Sequence, residues 1–252
     1  MGWSVAMFEM FRPFVDVRHG LSEKKDGFMN VKTANDPARD AVALENRRRF
    51  FEREGATGNI FIPYLVHGSE VRLVSGENWQ EMPRADGFVT KTPEIVLTVT
   101  VADCFPLYFY DPIRKAIGLA HSGWRGTVKN ILGRMVEAFG EHFGSRPEDL
   151  LLGIGSGIQK CHFSVRDDVL EQFKEYTDLA QEKGYASFAA RKGDEHFVDL
   201  RGILVRQAEE AGIKRGETVP DCTYCLADKY FSYRRDKPAI PEVMVAYCML
   251  RS

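Results

Sequence analysis

The most periodic stretch of the chain runs from Val128 to Phe143, where Val128, Ile131, Leu132, Met135, Val136, Phe139 and Phe143 recur at steps of three and four. That spacing predicts one apolar face of an α-helix, and Thr127 stands where an N-cap hydroxyl is useful. An earlier helix is predicted from Pro37 through Phe51: Asp36 followed by Pro37 reads as cap and first turn, with Ala41, Leu44 and Phe51 among the inward positions. The polar stretch 27–37 leading into it reads as loop. From Asn59 to Val101 the pattern changes. Ile60-Phe61-Ile62, Val71-Arg72-Leu73-Val74, Gly87-Phe88-Val89 and Ile95 to Val101 are short, rich in β-branched residues and separated by Gly, Asn and Pro, which predicts strands. Phe105 to Tyr110 and Ala116 to His121 add two more, joined by the turn residues Asp111-Pro112-Ile113-Arg114. Further helices are predicted at Arg166 to Tyr176 and Arg201 to Ala211, and strands at Leu150 to Ile154, His196 to Leu200 and Val243 to Leu250. Several strands follow one another without an intervening helix, so an α+β fold is expected rather than an alternating parallel sheet. Neither an internal repeat nor a Pro, Gly or Ser-rich linker divides the chain, so residues 1–252 are expected to form a single domain.

Composition narrows the class of protein. The 252 residues are 44% hydrophobic and 12% aromatic, which excludes disorder for the bulk of the chain. A chain of this length can bury roughly 70–75% of its unfolded surface. With 34 Lys plus Arg against 36 Asp plus Glu the net charge is −2, so there is no field to hold a polyanion and nucleic acid is not an expected partner. The longest apolar stretch, Ile95 to Tyr110, contains Thr98, Thr100 and Asp103 and falls short of a membrane span. Glu9, Arg12 and Asp16 follow Met1 where an export signal would need a basic and then an unbroken apolar segment, so a cytoplasmic location is expected. Five cysteines in such a chain read as reduced thiols, of which one could be a ligand or nucleophile.

The six histidines are unequal candidates. His142 falls on the polar face of the periodic helix and His196 opens a strand, so both read as ordinary surface or core residues. His67 follows the apolar run Ile62-Pro-Tyr-Leu-Val66 and precedes Gly68; His121 follows Ile117-Gly-Leu-Ala120 and precedes Ser122-Gly123. Cys104 follows Val99-Thr-Val-Ala-Asp103. All three read as strand-end residues. Their wide separation matches no local metal loop, and a buried core cysteine is the plain alternative. Yet one thiolate with two neutral imidazoles is a catalytic zinc set, with a fourth position left to water or substrate. Such a metal polarises a bound group and lowers the pKa of bound water. Cys222 and Cys225 have the CxxC spacing of a redox or zinc motif, but no second pair accompanies them, so reduced structural cysteines are expected. Cys248 reads as core. Of Cys161 and His162, adjacent on an extended backbone, at most one should face any pocket.

Five segments occur in order: Val66-His67-Gly68, Ala102-Asp103-Cys104-Phe105-Pro106, Ala120-His121-Ser122-Gly123-Trp124-Arg125-Gly126-Thr127, Cys222-Thr223-Tyr224-Cys225 and Phe231-Ser232-Tyr233-Arg234-Arg235-Asp236. Together they resemble the purine nucleoside phosphorylase family formerly described as laccase-like multicopper polyphenol oxidoreductases. The resemblance begins near Arg18-His19-Gly20 and covers most of the chain. It implies a mixed β-sheet sandwich with flanking helices, distantly like the catalytic domain of cytotoxic necrotizing factor toxins. It also implies that His67, Cys104 and His121 are metal-binding and catalytic, with zinc as the metal and copper as the variant. The activities implied are phosphorolysis of adenosine, inosine, guanosine and methylthioadenosine, and hydrolytic deamination of adenosine. Purine nucleosides and phosphate would then be the partners.

Some positions depart from the family. Leu65 stands where Gln is usual, Ser156 replaces Pro and His162 replaces a second Cys in the segment Gly155 to Val165, and Asp236-Lys237-Pro238 replaces a Gly-rich ending. The family pattern points Arg47, within Glu45-Asn46-Arg47, toward the pocket; planar guanidinium donors suit phosphate. Arg125 could serve similarly beside the start of the helix expected at Thr127. Trp124 reads as a packing residue. Two other chemistries compete. Copper-dependent polyphenol oxidation needs far more histidine ligands than six scattered ones, and the sequence contains no HxH pair. A metal-free Cys-His hydrolase would use Cys104 as nucleophile and His121 as base.

Overall fold

Thirteen strands and six α-helices have both ends among the described residues of a computed structural model that describes residues 7–31, 36–176, 178 and 188–252. A four-stranded sheet has the order β1 (Val17–Leu21), β13 (Met244–Leu250), β5 (Ile95–Val101), β2 (Asn59–Phe61). A six-stranded sheet has the order β12 (Arg215–Thr218), β8 (Leu151–Ile154), β6 (Phe105–Asp111), β7 (Ala116–Ser122), β4 (Gly87–Thr90), β3 (Val71–Leu73). A small third sheet orders β10 (Ala189–Lys192), β11 (Glu195–Val198) and β9 (Ser164–Val165). Most pairs are antiparallel; β12 with β8, β2 with β5 and β3 with β4 are parallel.

Period-two alternation decides which layer each side chain joins. On β6, Tyr108 and Tyr110 point into the space between the two large sheets, where they meet Ile117 and Leu119 of β7, Ile95, Leu97 and Val99 of β5, and Ala246 and Cys248 of β13. Phe105, Leu107 and Phe109 point the other way, onto α3 (Ile131–Phe143) and α5 (Leu200–Glu210). The outer face of the smaller sheet, Val96, Val245, Tyr247 and Met249, is covered by Phe50 and Phe51 of α1 (Pro37–Glu54). The layers are therefore helix, sheet, sheet, helix, the expected sandwich with flanking helices. Gly118 lets α3 press onto β7, since a Cβ there would meet Met135 Cε and Phe139 Cε2 at 2.7 Å. Each large side chain so buried contributes about 1.5–3 kcal/mol.

Several expectations need correction. In α1, Asp36 caps as predicted, accepting from the Ala38 and Arg39 N–H groups at 3.1 Å. Its buried face, however, is Ala43, Asn46, Arg47, Phe50 and Phe51, while Ala41 and Leu44 face solvent. The predicted frame was offset because the true face contains Asn46 and Arg47, polar residues that the apolar pattern passes over. Thr127 is not an N-cap. It is buried in the short α2 (Trp124–Val128), and Asn130, in a left-handed conformation, caps α3 by accepting from Gly133 N–H. Residues 62–66 form no strand. The helix expected from Arg166 to Tyr176 is broken into α4 (Asp167–Leu170), a 3-10 turn, Glu171–Phe173, and a helical segment at 174–176. Part of the predicted loop 27–37, residues 32–35, lies outside the described residues. Strands β1, β9, β10 and β12 had no strong sequence signal: they are short or interrupted by Gly or charge. Among the described residues no helix is long and apolar enough to cross a membrane.

Candidate active site

Strand register gathers the three candidate donors. In the antiparallel pair of β6 and β7, Pro106 lies opposite His121 and Phe105 opposite Ser122. Cys104, in the corner that carries the chain from β5 to β6, is thereby brought beside Gly123. β4 pairs with β7 so that Gly87 faces Ala120. The residue before it, Asp86, therefore reaches His121, whose backbone N–H donates to Asp86 O at 2.7 Å. His67 arrives on the loop between β2 and β3, not at a strand end as expected, and adopts φ 57°. The donor atoms of His67, Cys104 and His121 lie within 4.8 Å of one another. The two imidazoles meet edge to face, with centroids 4.7 Å apart. Gly123 keeps the shared space open: a Cβ there would come within 3.0 Å of Cys104 Sγ and 3.2 Å of His67 Cδ2.

A residue that sequence reasoning missed holds this arrangement. Asp86 is fully buried, and its Oδ1 accepts from the His67 N–H at 2.9 Å while also bonding His121 Nδ1 at 2.8 Å. Its Oδ2 accepts from the Gly68 and Val66 N–H groups at 2.7 and 3.2 Å. Burial alone would raise the Asp86 pKa, but the His121 bond and the backbone donors outweigh it and hold the carboxyl below its ordinary value. Its engagement of Nδ1 leaves His121 Nε2 facing the other two donors, the arrangement in which a carboxylate behind a histidine could orient it toward a metal. The only sequence signal was a lone Asp set directly before the apolar segment Gly87-Phe88-Val89.

The electrostatics favour a thiolate. Burial raises the Cys104 pKa, yet the charge of His121 and side-chain hydrogen bonds to His121 and His67 bring it well below the ordinary thiol value. His121 is correspondingly raised: burial disfavours its charge, but Cys104 and Asp86 outweigh that cost. One thiolate and two imidazoles at these separations suit a divalent ion of the zinc type, with one side open to solvent. His67, Cys104 and His121 could thus hold a metal together.

That open side is a cleft of about 710 Å³ lined by all three donors and by Arg47, Arg125 and Arg234. This volume falls in the range of small-molecule sites, about 300–1,000 Å³. Arg47 is buried; its Nε donates to Met29 O at 2.6 Å and its Nη1 has no partner among the described residues. Arg125 is exposed and stacks its guanidinium 4.1 Å from the Trp124 ring. Because α2 has only five residues and starts at Trp124, the helix-terminal assistance expected for Arg125 is not built here. Arg234, quoted in a motif but given no role by the sequence, donates through Nη1 to Ser164 O at 2.8 Å. Trp124 is half-buried against Phe173, 6.4 Å between ring centroids, and also lines the cleft. The acidic neighbours of the donors are otherwise occupied. Asp103 accepts from Thr223 Oγ1 and from the Arg234 N–H, each at 2.7 Å, and Glu70 pairs with Arg72 on the surface.

The chain has relatives in sequence and in fold. The family profile described as "Multi-copper polyphenol oxidoreductase laccase" matches residues 13–248. Purine nucleoside phosphorylase YfiH of Escherichia coli is 31% identical over 193 residues, covering 77% of this chain and 75% of that protein. A purine nucleoside phosphorylase of Deinococcus radiodurans is 31% identical over 218 residues, covering 86% and 80% respectively. The crystal structure of YlmD from Geobacillus stearothermophilus superposes with a TM-score of 0.84 at 26% identity, over 95% of this chain and 94% of that one.

Proposed function

The chain belongs to the family described as multi-copper polyphenol oxidoreductase laccase, and because relatives in it are named purine nucleoside phosphorylases, we propose that it is a zinc-dependent purine nucleoside phosphorylase with adenosine deaminase activity, acting in the cytoplasm as a single domain. The observation that carries this reading is one cleft joining the His67, Cys104 and His121 donors to the partnerless, buried Nη1 of Arg47. His67, Cys104 and His121 hold the metal, which when bound supplies Lewis acidity and a water of lowered pKa. The metal-ligand geometry is kept by Asp86, which fixes the His121 tautomer and the His67 backbone.

Phosphorolysis replaces the C1′–N9 bond of the nucleoside with a C1′–O bond to phosphate, and the base leaves with the proton of monohydrogen phosphate. Arg47 supplies fixed donors for that phosphate, and Arg125 and Arg234 add positive charge at the cleft wall. Such a preset cluster holds the attacking phosphate in place without reorganisation. The apolar wall, including Trp124, Phe163 and Ile158, suits a purine face. Deamination replaces the C6–N bond with a C6–O bond from water in the same cleft, and the amino group leaves as ammonia. Of the acidic neighbours, Asp103 is engaged by Thr223 and the Arg234 N–H, and Glu70 by Arg72. Adenosine, inosine, guanosine and methylthioadenosine are the substrates to try first.

The test incubates zinc-loaded protein with adenosine and phosphate and follows adenine, ribose 1-phosphate and inosine by chromatography. Formation of adenine with ribose 1-phosphate supports phosphorolysis, and inosine supports deamination. No conversion by protein of verified zinc content refutes the proposal. A second reading, a metal-free Cys-His hydrolase of the kind a likeness to the toxin catalytic domain would favour, draws on the Cys104 to His121 contact. Iodoacetamide discriminates: protection of Cys104 that a chelator reverses supports a ligand, and fast labelling of the untreated protein supports a nucleophile. Copper-dependent polyphenol oxidation is disfavoured by the donor count, since the Cys/His groups that converge among the described residues contain only His67, His121 and His162.

A further inference from the structure

Three thiols and an imidazole converge outside the cleft. The donor atoms of Cys161, His162, Cys222 and Cys225 lie within 4.8 Å of one another. Cys161 Sγ is 3.6 Å from Cys222 Sγ and 3.7 Å from Cys225 Sγ. His162 Nδ1 is 3.2 Å from Cys161 Sγ and 3.3 Å from Cys225 Sγ.

Two tight turns make this possible. Residues 161 and 162 do not lie on extended backbone, as the sequence suggested; the His162 and Phe163 N–H groups both donate to Gln159 O at 3.0 Å. That turn directs both side chains to one side. Cys222 and Cys225 sit in a helical turn closed by the Leu226 N–H donating to Cys222 O at 3.1 Å, so the i, i+3 pair shares a face. A bridge between Gly157 and Cys222 holds the turns together, and the His162 ring stacks on Tyr224 with centroids 4.0 Å apart.

We propose that Cys161, His162, Cys222 and Cys225 form a second, structural metal site that takes zinc. A tetrahedral zinc with bonds of about 2.3 Å to sulfur and about 2.0–2.1 Å to nitrogen requires S···S edges of about 3.8 Å and S···N edges of about 3.6 Å. The two Cys161 sulfur separations match that polyhedron, the other donor pairs lie within 4.8 Å, and the nitrogen needs to move by only a few tenths of an ångström from Cys161 and Cys225. They are far longer than a disulfide, about 2.05 Å. Four protein donors close the coordination sphere, which leaves no open position and makes this a bracing rather than a reacting centre. The CxxC pair, which lacked partners in the sequence, thus acquires them from a segment some sixty residues away in the chain, |i−j| = 61 for Cys161 and Cys222. Both segments continue into the cleft wall. Phe163 lines it, and Thr223 donates to Asp103, the neighbour of Cys104.

Zinc content of the His67→Ala/His121→Ala protein tests this independently of the cleft metal. One zinc per chain is expected to remain after dialysis, and it is lost when Cys161→Ser/Cys225→Ser is added. His162→Cys, which preserves four donors, retains it. Absence of zinc from the His67→Ala/His121→Ala protein, or a disulfide among Cys161, Cys222 and Cys225 in unreduced wild-type protein by mass spectrometry, overturns the proposal. If those variants do not fold, cobalt-substituted wild-type protein decides. Charge-transfer intensity for three more cobalt–thiolate bonds than Cys104 alone provides is expected, and intensity for a single bond overturns the site.

Discussion

Asp86→Asn is nearly isosteric, yet it should weaken both the fold and the metal centre. The carboxylate bonds four N–H groups: Oδ1 takes His67 N and His121 Nδ1, and Oδ2 takes Gly68 N and Val66 N. Asparagine retains one acceptor oxygen and turns an NH₂ group against the other pair of donors. A buried donor left without a partner costs about 1–3 kcal/mol, so two cost about 2–6 kcal/mol. We expect the metal-free variant to lose about 3 kcal/mol in urea denaturation. If the amide faces Oδ1's pair, His121 loses the acceptor that sets its tautomer; if it faces the other pair, the His67 loop loses its clamp. Either loss should reduce zinc affinity about 10–100-fold, the usual effect of removing a carboxylate behind a ligating histidine. Competition against a chromophoric chelator measures it. Stability within 0.5 kcal/mol of wild type, by the ~1 kcal/mol scale of a single hydrogen bond, together with zinc affinity unchanged within about twofold on the 10–100-fold scale of ligand-orienting partners, would refute the reasoning.

Gly123→Ala has ordinary backbone angles, φ −81° and ψ 175°, so its effect should be purely steric; the Cβ presses on Cys104 Sγ and His67 Cδ2 and should lower zinc affinity about tenfold or more with little change in Tm, as calorimetry beside a zinc titration will tell. Arg47→Met, verified as folded by circular dichroism, should raise KM for phosphate by about tenfold or more while adenosine deamination is largely preserved, because a charge-assisted hydrogen bond is worth about 1.5–3 kcal/mol; an unchanged phosphate KM would remove Arg47 from that role. His19 is held among Phe8, Phe11 and Tyr108 with its Nε2 unpartnered, and burial takes its pKa down to about 4. Above about pH 6.5 both folded and unfolded forms are neutral; below it only the unfolded chain takes up the proton, so stability should fall by about 3 kcal/mol as pH drops from about 6.5 to about 4. His19→Phe should flatten this part of the pH profile, and an unaltered profile in denaturant titrations would count against it.

What the sequence disclosed depended on how local the cause was. Strands β5, β6 and β7 were legible with near-correct ends, because each is a run of seven residues that are mostly apolar and buried on both faces. The donors were legible as residue types at the ends of apolar runs. Asp86 was not, because its role arises only from the β4 to β7 register, and a single Asp before a strand carries no period. The face of α1 was misjudged for a related reason: Arg47 and Asn46 are inward because they serve the cleft wall and the loop at Phe28 and Met29, not because they are apolar. Cys161 and His162 were misread because an extended backbone was assumed where Gln159 closes a turn. In each case the missing information was a contact between distant segments.

The two non-glycine residues with left-handed backbone at the cleft make the same point in energetic terms. His67 has φ 57° and Asp103 has φ 85°, conformations that cost about 1–3 kcal/mol each and persist only when the surroundings fix them. At His67 the fixing agent is Asp86, which binds the N–H groups of three successive residues. At the corner before Cys104 it is the Asp103 carboxylate itself, gripping Thr223 and the Arg234 N–H, with Ile158 N–H donating to Asp103 O at 2.8 Å. Each donor loop is thus bent into an unfavourable conformation and held by one aspartate whose oxygens are fully committed. At Cys104 the strain resides one residue before the donor, whereas at His67 it resides in the donor's own backbone. It follows that Thr223→Val, which removes only the Asp103 Oδ1 donor, should loosen the Cys104 corner and weaken zinc binding in the cleft even though residue 223 is far in sequence from the cleft donors His67, Cys104 and His121.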